Sequence, residues 1–236
     1  MLLSVILFGS RARGDHRSTS DVDLLGISDE GPIKTEISSC GVSFYQYPLA
    51  TLRAKALAGD LFVLHLTSEG KQLHDTAEIF SRICESFCYK ASYENEIREA
   101  SIVNWFILER PNLLLSYAMR KRLVWGLRTI LIARSAEKRT PAFSSSALAD
   151  FASAPELRSA IDNRYSIEPG SLHKLCSMVT SSFGFSHAGL SWPTGAAAQK
   201  ELLSGMGGIA KLTAEGLPRK RGKVAGEQLR ADQFYL

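Results

Sequence analysis

Apolar positions change their rhythm once along this chain. Through residue 75 they fall in short runs broken by Gly, Ser, Asp and Pro; from Thr76 onward they recur every three or four positions. The early runs predict strands at residues 4–8, 21–27 and 42–47, the last rich in aromatics and stopped by Pro48. Residues 33–38 read as a further short strand between two turns, and 71–75 as an edge strand. Two helices fit between them: residues 49–58, closed by Gly59, and 61–69, capped by Asp60 and ended by Gly70.

Beyond Thr76 the spacing of Ile79, Phe80, Ile83, Cys84 and Phe87 is helical. Residues 93–110 predict a long helix, and Pro111 opens another that runs to about Arg134, with Arg120, Lys121, Arg122 and Arg128 interrupting its apolar surface. Thr140-Pro141 breaks the pattern, and 144–151, 155–163, 170–183 and 195–212 are weaker helical candidates. The fold class that follows is α+β: a small mixed sheet with two helices over residues 1–75, an all-α helical bundle over 76–215, and a basic, mobile tail over 216–236.

Composition narrows the class. With 236 residues, 45% hydrophobic and 22% charged, the chain can bury a real core and is neither disordered nor fibrous. The net charge of +4 suits polyanionic ligands. Four scattered cysteines with no CxxC spacing exclude a disulfide framework and a zinc knuckle, and they read as reduced thiols in a cytoplasmic protein. Cys84 and Cys88, one helical turn apart, read as small core residues. No window is long and apolar enough for a membrane span, and the apolar start is too short for a signal peptide.

The chemistry concentrates between the first two strands. Gly9-Ser10 follows the first, and Asp21 and Asp23 lie on the second, with ten residues between Ser10 and Asp21. Side chains alternate along a strand, so residues two apart share a face. Two carboxylates side by side repel and are kept together when a cation joins them. A Gly-Ser turn offers backbone N–H groups and a hydroxyl to a phosphate. Arg11, Arg13 and Arg17 surround this loop.

This pattern, Gly-Ser, ten residues, Asp-x-Asp, resembles the signature of the DNA polymerase β-like nucleotidyltransferase superfamily. It is most similar to the minimal nucleotidyltransferases (MNT), through Gly9-Ser10-Arg11-Ala12-Arg13-Gly14 and Ser20. The helical half resembles the second domain of the kanamycin nucleotidyltransferase and MNT–HEPN groups. The resemblance implies an NTP substrate, Mg²⁺ held by Asp21 and Asp23, and phosphates held by Gly9, Ser10, Arg11, Arg13 and Ser20. It also implies a helix ahead of the first strand, which the residues before Ser4 do not contain, and a third catalytic carboxylate from the following strand. Residues 42–47 carry Ser43, Tyr45 and Gln46 but no acid, which leaves Glu36 as the candidate; two ions are expected if a third carboxylate is supplied. The implied activity is Mg-dependent transfer of an NMP, most simply AMP from ATP, to a protein, RNA end or small molecule, in a toxin–antitoxin or phage-defence setting. The alternative is a catalytically weakened NTP sensor or partner-binding regulator. Homo-oligomers fit either reading; a membrane partner fits neither.

Other polar groups carry less. His65 and Glu69, one turn apart, read as a helix-surface pair. Glu109 is a candidate acceptor base, by analogy with relatives that use a carboxylate of the helical domain. Trp192-Pro193 lines a pocket or packs the bundle. Arg164 and His173 depart from the HEPN ribonuclease spacing, so RNase activity is not expected. Arg219–Lys223 is a short basic run without interleaved aromatics, a weak nucleic-acid signal.

Overall fold

The computed structural model describes residues 1–18, 20–38, 40–206 and 208–217. The basic run at 219–223, and with it most of the expected mobile tail, lies outside the described residues. Two compact units divide the chain, the first Met1–Ala91 and the second beginning at Ser92. The fold class is α+β, a five-stranded mixed sheet followed in sequence by helices.

The first unit comprises β1 (Leu2–Phe8), α1 (Gly9–Arg13), β2 (Val22–Ser28), β3 (Lys34–Ile37), β4 (Val42–Pro48), α2 (Leu49–Leu57), α3 (Leu61–Glu69), β5 (Lys71–Asp75) and α4 (Ile79–Ser86). The strand order is β3-β4-β2-β1-β5, with β2 and β4 parallel and every other pair antiparallel. Lys71–Asp75 forms the edge strand that its position in the sequence predicts.

Alternation along the strands sets one buried face. Ile6, Phe8, Leu25, Ile27 and Tyr45 turn inward and meet Leu52 of α2, Phe62, Val63 and Leu66 of α3, and Phe80 and Ile83 of α4. Burying each large apolar side chain contributes about 1.5–3 kcal/mol, so this layer is the main source of the unit's stability. Helix α4, where the apolar rhythm turns helical, packs on this sheet. Its start is fixed by Asp75, whose carboxylate accepts from the Ile79 and Phe80 N–H groups at 2.9 and 3.0 Å. Asp60 caps α3 as its sequence position predicts, accepting from the Phe62 and Val63 N–H groups at 3.0 and 3.2 Å. Cys88 is exposed rather than a core residue, since α4 ends at Ser86 before reaching it.

The second unit is helical: α5 (Glu94–Leu108), a 3₁₀ turn (Pro111–Leu115), α6 (Tyr117–Glu137), α7 (Ser145–Phe151), α8 (Glu156–Asp162), α9 (Pro169–Phe183), α10 (Ala196–Gly205) and α11 (Gly208–Gly216). The single helix expected from Pro111 is a 3₁₀ turn followed by α6, and Ser116 between them has extended backbone. The helix expected over 195–212 is two helices. Helices α5 and α6 lie side by side, and α9 packs on both. Their close approach depends on Gly126, where a Cβ would collide with the Asn104 side chain.

Candidate active site

β1 ends at Phe8, and the chain turns at once into α1, a five-residue helix where a simple turn is expected. Gly9 makes that transition. Its φ of +72° suits glycine, and a Cβ on it would stand 2.7 Å from Asp23 Oδ2. The motif glycine thus does two things: it turns the backbone and lets the Asp23 carboxylate of the next strand pack against it.

Asp23 lies on β2 opposite Phe8 of β1 and is 3% exposed, whereas Asp21, just before the strand, is exposed. Val22 N–H donates to Gly41 O at 2.8 Å and fixes the strand entry between them. Both carboxylates act on the same neighbour. Burial pushes the Tyr45 hydroxyl pKa well up, the Asp23 and Asp21 charges push it further, and a hydrogen bond with Ser43 opposes them. Ser43, in register with Asp23, and Tyr45 two residues on line the β4 side of Asp23.

The arginines of the loop have protein partners. Arg11 donates from Nε and Nη2 to the Ser20 carbonyl at 3.2 and 2.8 Å, which draws the end of the loop back to α1. The Ser20 hydroxyl accepts from the Arg17 N–H at 2.9 Å. Arg13 donates to Asp15, and its Nη1 meets Glu69 Oε2 at 2.7 Å. Burial lowers the Arg13 pKa, but the Asp15 and Glu69 carboxylates outweigh it and raise the value above its ordinary one. Glu69 also meets His65 Nε2 at 2.8 Å, and His65 is 5% exposed beneath the Phe8 ring. What the sequence presents as a surface pair is a buried brace under the loop. Its missing signal was Arg13, 56 residues from Glu69 in sequence.

Glu36 is not brought to the aspartates. It pairs with Phe44 on the β3–β4 register, and Phe44 alternates with Ser43 and Tyr45, so Glu36 lies on the opposite face and is exposed. Among the described residues, no three His, Cys, Asp or Glu side chains converge as a metal group. The two aspartates, Asp21 exposed and Asp23 two positions on, are nonetheless oxygen donors of the kind Mg²⁺ takes, and the chemistry of that donor set fits one such ion. In the second unit Glu109 pairs with His187 and lies 3.6 Å from Arg110. Arg164 Nη1 donates to Ile161 O at 3.1 Å, and His173 Nε2 lies 2.8 Å from Leu108 O.

Comparison with known proteins places the first unit. Residues 2–85 match the family model of the nucleotidyltransferase domain. A solved nucleotidyltransferase-like protein from Exiguobacterium sibiricum 255-15 is similar over 77% of this chain and 68% of its own, at 15% identity and a TM-score of 0.32. No curated protein matches the chain. The match of residues 2–85 to a nucleotidyltransferase domain supports NMP transfer as the class of activity and NTP as a substrate. Among the described residues, no helix is long and apolar enough to cross a membrane.

Proposed function

We propose that this chain is a Mg²⁺-dependent nucleotidyltransferase that moves an NMP, most simply AMP from ATP, to an acceptor. The observation that carries the reading is Asp23, buried on β2 with its carboxylate against Gly9, and Asp21 at the entry of that strand, within a segment matching the nucleotidyltransferase domain. Asp21 and Asp23 would hold Mg²⁺, which would supply charge neutralisation on the phosphates and polarise the phosphorus under attack. Gly9 lets the Asp23 carboxylate lie against the start of α1. Ser10 and the backbone N–H groups after Gly9 receive the phosphates. Arg11, through the Ser20 carbonyl, and Arg13, through Glu69, hold the loop in shape for them. The acceptor atom bonds to the α-phosphorus as the bond to the β-phosphate breaks, and pyrophosphate leaves.

The acceptor is a protein, an RNA end or a small molecule, and the similarity to minimal nucleotidyltransferases favours a toxin–antitoxin or phage-defence setting. The free cysteines suit the reducing cytoplasm. Incubation with each α-³²P-labelled NTP and Mg²⁺, alone and with host lysate, tests the reading beside an Asp21→Asn/Asp23→Asn variant. Label carried by the wild type alone supports it; Mg-dependent NTP binding without transfer favours a nucleotide sensor instead. A specific observation favours that second reading, since neutral Ser43 and Tyr45 occupy the β4 face where a third carboxylate belongs.

A further inference from the structure

β4 runs parallel to β2 and in register with it: Ser43 stands beside Asp23 and Tyr45 beside Leu25. A β4 side chain at either position therefore shares the face of Asp23. A third acid able to join the pair from this strand would have to sit at one of them. Both are neutral hydroxyls, each 5% exposed, and they hydrogen-bond to each other. The Tyr45 ring, 5.8 Å from the Phe8 ring, adds buried aromatic carbon to the face that Ser43 and Asp23 share.

Among the described residues, several other acids of this unit lie elsewhere or are engaged. Glu36 lies on the far face. Asp15 and Glu69 bind Arg13. Asp60 caps α3 and meets Lys55 at 2.5 Å, and Asp75 caps α4. Two-ion sites place their cations about 3.5–4 Å apart, and that repulsion is tolerated only where anionic ligands surround both. Two carboxylates beside an aromatic ring match the charge of one divalent cation.

We propose that this site takes a single divalent cation with its nucleoside triphosphate, held by Asp21 and Asp23, and that Ser43 and Tyr45 close the position of a second. The inference rests on the nucleotidyltransferase reading and sharpens it: the acceptor is activated without a second ion.

The test counts ions directly. The full-length chain is titrated with Mn²⁺ in the presence of α,β-methylene-ATP, with bound Mn²⁺ measured by electron paramagnetic resonance and bound nucleotide by equilibrium dialysis. One Mn²⁺ per bound nucleotide is expected for the wild type and two for Ser43→Asp. Two ions in the wild type overturn the one-ion site while leaving the nucleotidyltransferase reading intact. A chain that binds no α,β-methylene-ATP at all overturns both. A Ser43→Asp variant that is folded by circular dichroism yet still binds one ion overturns the role given to Ser43. If that variant does not fold, the wild-type count decides alone.

Discussion

The two units use charge differently. In the second, guanidinium groups tie helices and turns together through backbone carbonyls. Buried Arg120 donates to Leu114, Tyr165 and Ile167 oxygens at 2.6, 3.1 and 3.0 Å, and Arg134 donates to Phe183 O at 2.8 Å. Each such bond satisfies a backbone carbonyl, which is a structural task. The first unit has stabilising charge too, in the Arg13–Glu69 pair and the Asp60 and Asp75 caps, but it also carries two carboxylates of like sign, Asp21 and Asp23, two positions apart at the entry of β2. Like charges near one another repel, and a cation between them relieves that repulsion. That like-charged pair, rather than the stabilising contacts, marks the proposed site.

The sharpest way to break that contrast is to neutralise the aspartates. Asp21→Asn/Asp23→Asn is expected to lower nucleotidyl transfer by roughly a thousandfold or more, the several kcal/mol a bound ion supplies, while the melting temperature holds or rises. A fall in melting temperature would mean the pair stabilises the fold after all.

Arg120→Met should do the reverse. It leaves three carbonyls without their donor, and a loss of about 2–4 kcal/mol is expected in denaturant titration. A variant as stable as the wild type would remove the structural role assigned to that arginine.

Gly9→Ala tests the boundary between the two kinds of charge, because the added Cβ both strains a positive φ and meets the Asp23 carboxylate. It should cost about 1–2 kcal/mol in stability and weaken Mg·NTP binding more than tenfold, read by titration calorimetry. Unchanged binding would show that the close approach of Asp23 to Gly9 does not matter to the ligand.

The smallest effect concerns Glu137, which accepts from the Tyr93 N–H at 3.0 Å and Arg134 Nη1 at 3.0 Å. Burial raises its pKa, but the Tyr93 N–H, Arg134 and Ser92 outweigh burial and hold it below the ordinary value. A depressed carboxylate stabilises the fold above its unfolded pKa, and that contribution disappears as pH falls through the folded one. Glu137→Gln should therefore cost about 1 kcal/mol at pH 7 and progressively less below about pH 4. A deficit equal at both pH values would assign the loss to packing.

Local chemistry made much of this legible in the sequence. Alternation, turn residues and caps mark β1, β2, β4, α2 and α3 to within a residue or two, and the Gly9, Ser10, Asp21, Asp23 spacing marks the site. Strand parity sets Asp23 on the inward face of β2, because the side-chain period of a strand is two, whereas Asp21 precedes the strand and escapes that rule.

Pairings between distant segments were decided by the tertiary structure. Which strand lies beside β2, and in what register, put Ser43 next to Asp23 and sent Glu36 to the other face. The brace of Arg13, Glu69 and His65, and the seating of α4 on the sheet core, likewise join segments far apart in sequence. No local pattern encodes such meetings, since they follow from how the buried faces of whole elements fit together once the chain has folded.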